Sequence, residues 1–138
     1  MKYTVIRNLV CMVLLVSNGC LAAMDTSALF AHSWTLKSLG SKTIDQSLYS
    51  DLKPNITFDA SNRFYAFAGC NRIAGGFTLT PPDQLQFGNT LMTKMACMTP
   101  TNVEDEFVVM LSQVRFWQVE SNQLFLLDAN KTVLAIFN

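Results

Sequence analysis

Short runs of alternating apolar and polar residues recur from Trp34 to the C-terminus, each bounded by residues that favour turns. A period of two sends successive side chains to opposite faces of an extended chain, so these runs predict half-buried β-strands. Trp34 and Leu36 share one face, with Thr35 and Lys37 on the other. Ile56 and Phe58 alternate with Asn55, Thr57 and Asp59, after a Pro54 that suits a strand start. Asp59-Ala60-Ser61-Asn62 predicts a turn into Arg63-Phe64-Tyr65-Ala66-Phe67, which makes a hairpin with the preceding strand. Gly75-Gly76 then opens Phe77-Thr78-Leu79-Thr80, and Pro81-Pro82-Asp83 breaks the chain before Leu85-Gln86-Phe87. Residues 116–120, 123–127 and 132–137 read as three successive strands, joined at Ser121-Asn122 and at Asp128-Ala129-Asn130-Lys131.

One segment follows a different period. Thr101 and Glu104 form a capping box with Pro100 just outside it. Glu104, Asp105 and Glu106 place negative charge in the first turn, where the helix dipole favours it. Val103, Phe107, Met110, Leu111 and Val114 then recur at helical spacing and predict an amphipathic helix whose apolar stripe covers a sheet. The fold expected is α+β: a small β-rich domain with a curved or barrel-like, mostly antiparallel sheet and one amphipathic helix.

The N-terminus reads as an address. Lys2 and Arg7 precede the apolar run Leu9-Val10-Cys11-Met12-Val13-Leu14-Leu15-Val16. A polar break at Ser17-Asn18-Gly19 and small residues at Ala22 and Ala23 follow. Positive, apolar and small-residue regions in that order predict a secretory signal peptide, and the run is too short to span a membrane. Cleavage after Ala22 or Ala23 is one reading. The other is acylation of Cys20 after lipoprotein processing, which Gly19 suits and Ser17 does not. The expected division is a signal peptide over 1–23, a lead-in over 24–31 and one domain over 32–138.

Composition then narrows the function classes. Half of the 138 residues are hydrophobic and 14% are charged, which supports a packed core. Of 10 basic residues, loss of Lys2 and Arg7 leaves 8 against 10 acidic ones, a net charge of −2. The basic residues are scattered, which argues against a nucleic-acid surface.

Of the four cysteines, Cys70 and Cys97 remain in the folded domain on either reading of the N-terminus. In an oxidising compartment such a pair predicts one disulfide closing a loop of 27 residues, which stabilises by about 3 to 4 kcal/mol. Two buried free thiols are the alternative. Metal binding is disfavoured, because no Cys-x-x-Cys spacing occurs and His32 is the sole histidine. No cofactor is expected either.

The stretch Phe67-Ala68-Gly69-Cys70-Asn71-Arg72-Ile73-Ala74-Gly75-Gly76-Phe77 resembles the Gly-Cys-Asn signature of META domains, of the heat-shock HslJ type. Leu85-Gln86-Phe87-Gly88, Thr93-Lys94-Met95-Ala96-Cys97, the acidic helix start with Glu106-Phe107, Trp34-Thr35-Leu36 and Leu124-Phe125-Leu126 extend the resemblance in order. The resemblance implies a compact β-rich fold with one helix, an envelope location and a loose link to heat or antibiotic stress. It implies no reaction.

The Gly69-Cys70-Asn71-Arg72 turn carries the most distinctive local chemistry. Asn71 and Arg72, with Lys94 brought near by the disulfide, form a candidate polar site for a carboxylate or phosphate. The competing reading, which turn chemistry favours, is that Gly69 and Asn71 simply bend the chain. Met92, Met95, Met98 and Met110 suggest either an adaptable groove or core filling. No residues are assigned to catalysis: a sole histidine offers no nucleophile–base pair, and Gly75-Gly76 leads into a strand rather than a phosphate-cradling helix. The sequence therefore predicts a non-catalytic, monomeric envelope protein in the periplasm or at the outer membrane. Its partners are expected to be envelope proteins or, in the alternative, a small apolar or amphipathic ligand it carries or senses. Membrane attachment is expected only if Cys20 is lipidated.

Overall fold

The structure is a computed structural model that describes residues 26–49, 52–97 and 103–138. The expected signal peptide with Cys11 and Cys20, and the residues Met98, Pro100 and Thr101, lie outside the described residues. Among the described residues the chain runs α1 (Ser27–Phe30), β1 (Trp34–Leu39), β2 (Lys42–Thr43), a 3-10 turn (Gln46–Leu48), β3 (Asn55–Asp59), β4 (Arg63–Phe67) and β5 (Arg72–Thr80). There follow β6 (Gln84–Met92), α2 (Val103–Gln113), β7 (Phe116–Glu120), β8 (Gln123–Leu127) and β9 (Val133–Phe137).

The strands form one antiparallel sheet in the order β2-β1-β3-β4-β5-β6-β7-β8-β9, and a further pairing of β1 with β9 curls it into a ring. The ring is thinnest between β6 and β7. Only Gln84 and Phe116 are in register there, supported by bonds from Leu85 N–H to the Arg115 carbonyl and from Trp117 N–H to the Asp83 carbonyl. The chain between these two strands supplies α2, which packs on β1 and β6. Its predicted stripe, Val103, Phe107, Met110 and Leu111, is buried, as is Val114 just beyond it. The Phe107 ring meets Phe137 of β9 edge-on at 6.2 Å, so the helix closes the core from one side.

Alternation in the strands sorts the two faces as the sequence predicts. Ile56, Phe58, Phe64, Ala66, Ile73 and Phe77 point inward and are buried, while Asn55, Thr57, Tyr65, Phe67, Arg72 and Ala74 take the outward positions. Inside, Phe58 packs edge-on to Phe77 at 5.3 Å and Phe64 to Phe87 at 4.8 Å. The predicted turn at 59–62 is built by Asp59, whose Oδ1 accepts from the N–H groups of Ser61 and Arg63 and from the Ser61 hydroxyl. The Ser61 bonds hold the Asp59 carboxyl below its ordinary value.

One expectation changes. Gly75-Gly76 does not open a strand but lies inside β5, which begins at Arg72, and β6 extends to Met92. Gly75 sits beneath Phe64: an added Cβ there would lie 2.8 Å from Phe64 Cε1 and 2.7 Å from the Asn89 carbonyl oxygen. The strand thus uses glycine to let an aromatic ring and a bulged neighbour close in. Within the segment expected as a lead-in, Ser27–Phe30 form α1. In α1, Leu29 is fully buried and its carbonyl accepts from Trp34 Nε1 at 2.9 Å. No helix among the described residues is long and apolar enough to cross a membrane.

Candidate functional site

The connection from β4 to β5 turns on Gly69, whose φ of +114° is one that side chains resist. A Cβ there would also come within 2.9 Å of the Tyr49 ring. Cys70 is joined to Cys97 in a disulfide with Cα atoms 5.9 Å apart, which ties this turn to the segment following β6.

Asn71 does not bend the chain through a left-handed backbone. Instead its side chain is inserted into the corner, where it is only 4% exposed. Its Oδ1 accepts from the Met95 N–H at 2.8 Å and the Thr93 hydroxyl at 2.9 Å. Its Nδ2 donates to Glu104 Oε1 at 2.8 Å and, more weakly, to Cys97 Sγ at 3.6 Å. Its backbone N–H donates to Glu104 Oε2 at 2.8 Å. Every polar atom of the side chain is consumed, so Asn71 organises the corner from inside. Glu104, placed in sequence as a capping-box residue, turns its carboxylate to this amide.

Arg72 is fixed differently. Its backbone N–H donates to Thr93 Oγ1 at 3.0 Å and its carbonyl accepts from the Thr93 N–H at 3.0 Å. The exposed guanidinium makes no hydrogen bond or ion pair among the described residues. Lys94, also exposed, sits between Thr93 and Met95, both of which bind Asn71. The turn therefore collects the three expected residues in one corner, with Asn71 inward and both cations at the surface.

Arg72 stands at the edge of a groove of about 580 Å³ on the outer face of β3 to β6. Two rows of outward side chains cross these strands. Thr57, Tyr65, Ala74 and Leu91 are in register in one row, and Asn55, Phe67 and Arg72 in the other, with Thr93 beyond. Ala74 is the short member of its row, and it leaves a depression between the Tyr65 and Leu91 side chains, which are 48% and 77% exposed. Leu52 and Met92 add apolar surface to the rim. Among the described residues, Arg72 is the sole charged one in the lining.

No pattern read from the sequence pointed to this groove. Its signal lies in Arg63-Phe64-Tyr65-Ala66-Phe67, where aromatic residues occupy both faces of one strand, and in the apolar pair Leu91-Met92 at a strand end. Of the methionines, Met110 fills the core, Met92 lines the groove and Met95 is exposed. The sulfurs of Cys70 and Cys97 and a Glu104 oxygen lie within 4.8 Å of one another. With the sulfurs bonded to each other and the carboxylate engaged by Asn71, this set has no thiolate to offer a cation. His32 stacks on Trp34 at 4.1 Å between ring centres and is not part of the groove.

A ring of antiparallel strands plugged by one helix, with a disulfide-tied corner beside an apolar outer groove, defines a small β-rich single-domain module. The META domain model matches residues 27–138, and the chain belongs to the META domain family. A protein solved by NMR is similar over 83% of this chain and 95% of its own, with 24% identity and a TM-score of 0.64. Another NMR structure, of a protein from Burkholderia xenovorans, shares 26% identity over 81% of this chain and 84% of its own, with a TM-score of 0.61. A DUF4847 family protein from Bacteroides vulgatus has the same fold, with 19% identity over 81% of this chain and 94% of its own and a TM-score of 0.57. No curated protein matches the chain.

Proposed function

We propose that this protein is an exported, non-catalytic binding module of the cell envelope, and that it works by holding a small apolar or amphipathic molecule in the groove over β3 to β6. One observation carries the reading: an apolar trough of about 580 Å³ on an otherwise polar sheet face, with one cation, unpaired among the described residues, at its edge. Ligand sites typically run from about 300 to 1,000 Å³, mostly apolar with a few placed polar groups. Exposed apolar surface gathered in one patch costs solubility, so its retention favours a binding role over chance. Export is supported by the order of charged, apolar and small residues over 1–23 and by the disulfide, which suits an oxidising compartment. The non-catalytic reading is supported by a groove whose lining, among the described residues, has no histidine, cysteine or carboxylate side chain.

Titration with N-phenyl-1-naphthylamine, a neutral apolar dye, tests the groove. Saturable fluorescence enhancement is expected for the mature protein and not for Ala74→Phe, in which a ring occupies the depression. Equal enhancement in both, or none in either, would sink the reading.

A further inference from the structure

Resting on the groove reading above, we propose that the ligand is a single-chain amphiphilic anion, a long-chain carboxylate, with its headgroup on Arg72 and its hydrocarbon chain lying across β5 between Tyr65 and Leu91.

Three observations lead there. The first is charge. Among the described residues, Arg72 is the one charged group of the lining, it has no partner, and no carboxylate shares the groove to neutralise it. A guanidinium presents a planar pair of N–H donors that matches a carboxylate in a two-point contact. The second is that the backbone of Arg72 is held at both its N–H and carbonyl by Thr93, so the side chain projects from a fixed base.

The third observation excludes an extended peptide. The groove lies on the face of four strands that are already paired with one another, β3 with β4, β4 with β5 and β5 with β6. Their main-chain groups are used, so the groove offers mostly side chains. A peptide laid on it would bury its own N–H and carbonyl groups without partners, which is costly. A hydrocarbon chain has no such groups. The width from β3 to β6 is three strand spacings, roughly 14 Å, enough to take much of an acyl chain. A second copy of this chain would bring the same patch, which holds no acidic residue for Arg72 among the described residues.

Titrating the isotope-labelled mature protein with dodecanoate, dodecanol and dodecyltrimethylammonium, all below their aggregation limits, tests this. Dodecanoate is expected to shift the amide signals of Ala74 and Leu91 and to bind about tenfold or more tightly than dodecanol. The cation should bind least. Arg72→Gln should remove the preference for the anion, bringing dodecanoate to the affinity of dodecanol. Ala74→Phe should abolish both, and Leu91→Asp, at a highly exposed position, serves as a second block should Ala74→Phe lose its dispersed spectrum. Equal binding of the anion and the alcohol, unaffected by Arg72→Gln, would overturn the anion assignment and leave the groove reading intact. No shift at Ala74 or Leu91 with any of the three would overturn both. Concentration-dependent dimerisation through the same residues, without amphiphile, would assign the patch to self-association instead.

Discussion

The carboxylate of Glu104 clamps Asn71 from two sides, one oxygen on its backbone N–H and the other on its side-chain amide, each at 2.8 Å. These residues are 33 positions apart, so the pair fastens the first turn of α2 to the corner that starts β5. The same amide reaches Thr93 and Met95 on its other side. One buried side chain thereby joins three segments, and the disulfide closes the same corner beside it.

Asn71→Ala removes the shared partner of Glu104, Thr93 and Met95. Charged and neutral acceptors and donors lose their bonds together, and the expected destabilisation is roughly 2 to 4 kcal/mol. Asn71→Asp should behave differently, because it sets a carboxylate against Glu104. Its loss should be larger at pH 7 than at pH 4, where one of the two acids can take a proton. Urea midpoints of the three proteins at both pH values check this; equal loss for Asn71→Asp at both would contradict the contact.

Reduction of the Cys70–Cys97 disulfide frees a loop of 27 residues. The expected loss is about 3 to 4 kcal/mol in the loop-closure model. Melting with and without a dithiol measures it. An unchanged melting temperature would show that the corner stands without the bond.

Adjacent glycines in β5 should respond in opposite ways. Gly75→Ala forces a methyl against Phe64 and the Asn89 carbonyl, and is expected to cost about 1 to 3 kcal/mol. Gly76→Ala meets nothing nearer than 3.6 Å and should be near neutral. Denaturant unfolding of both variants separates close packing from a general intolerance of the strand.

The Asp59 carboxyl is held below its ordinary value of 3.8 by the Ser61 hydroxyl and by the turn's N–H groups. A depressed acid favours the folded state when ionised, so its contribution is present above its unfolded value and is lost as pH falls through the lower folded value. Asp59→Asn should therefore lower the melting temperature at pH 7, and the gap from the parent should shrink below pH 3.8. A gap that stays constant on acidification would contradict the cause assigned.

The sequence revealed the architecture more fully than the site, for physical reasons. Alternation reported the inner face of each strand, because core positions such as Ile56, Phe58 and Phe64 leave no freedom of choice. The helix stripe from Val103 to Val114 was legible for the same reason. Gly75-Gly76 misled because glycine usually signals a turn, whereas here a ring packed against the strand requires it. Asn71 was visible as unusual, but its role depends on Glu104, brought to it only by the fold. The groove was least legible. It arises from a short residue, Ala74, placed by register between Tyr65 and Leu91, and register between distant strands is not written in either strand alone.

The central claim, a loaded groove in an exported protein, is tested most directly by a native mass spectrum of the protein purified from its own cell envelope, beside Ala74→Phe prepared identically. The account predicts a chain processed near its N-terminus, two hydrogens light, carrying an adduct of amphiphile mass that the variant lacks. A bare polypeptide in both preparations, or an adduct retained in the variant, would contradict it.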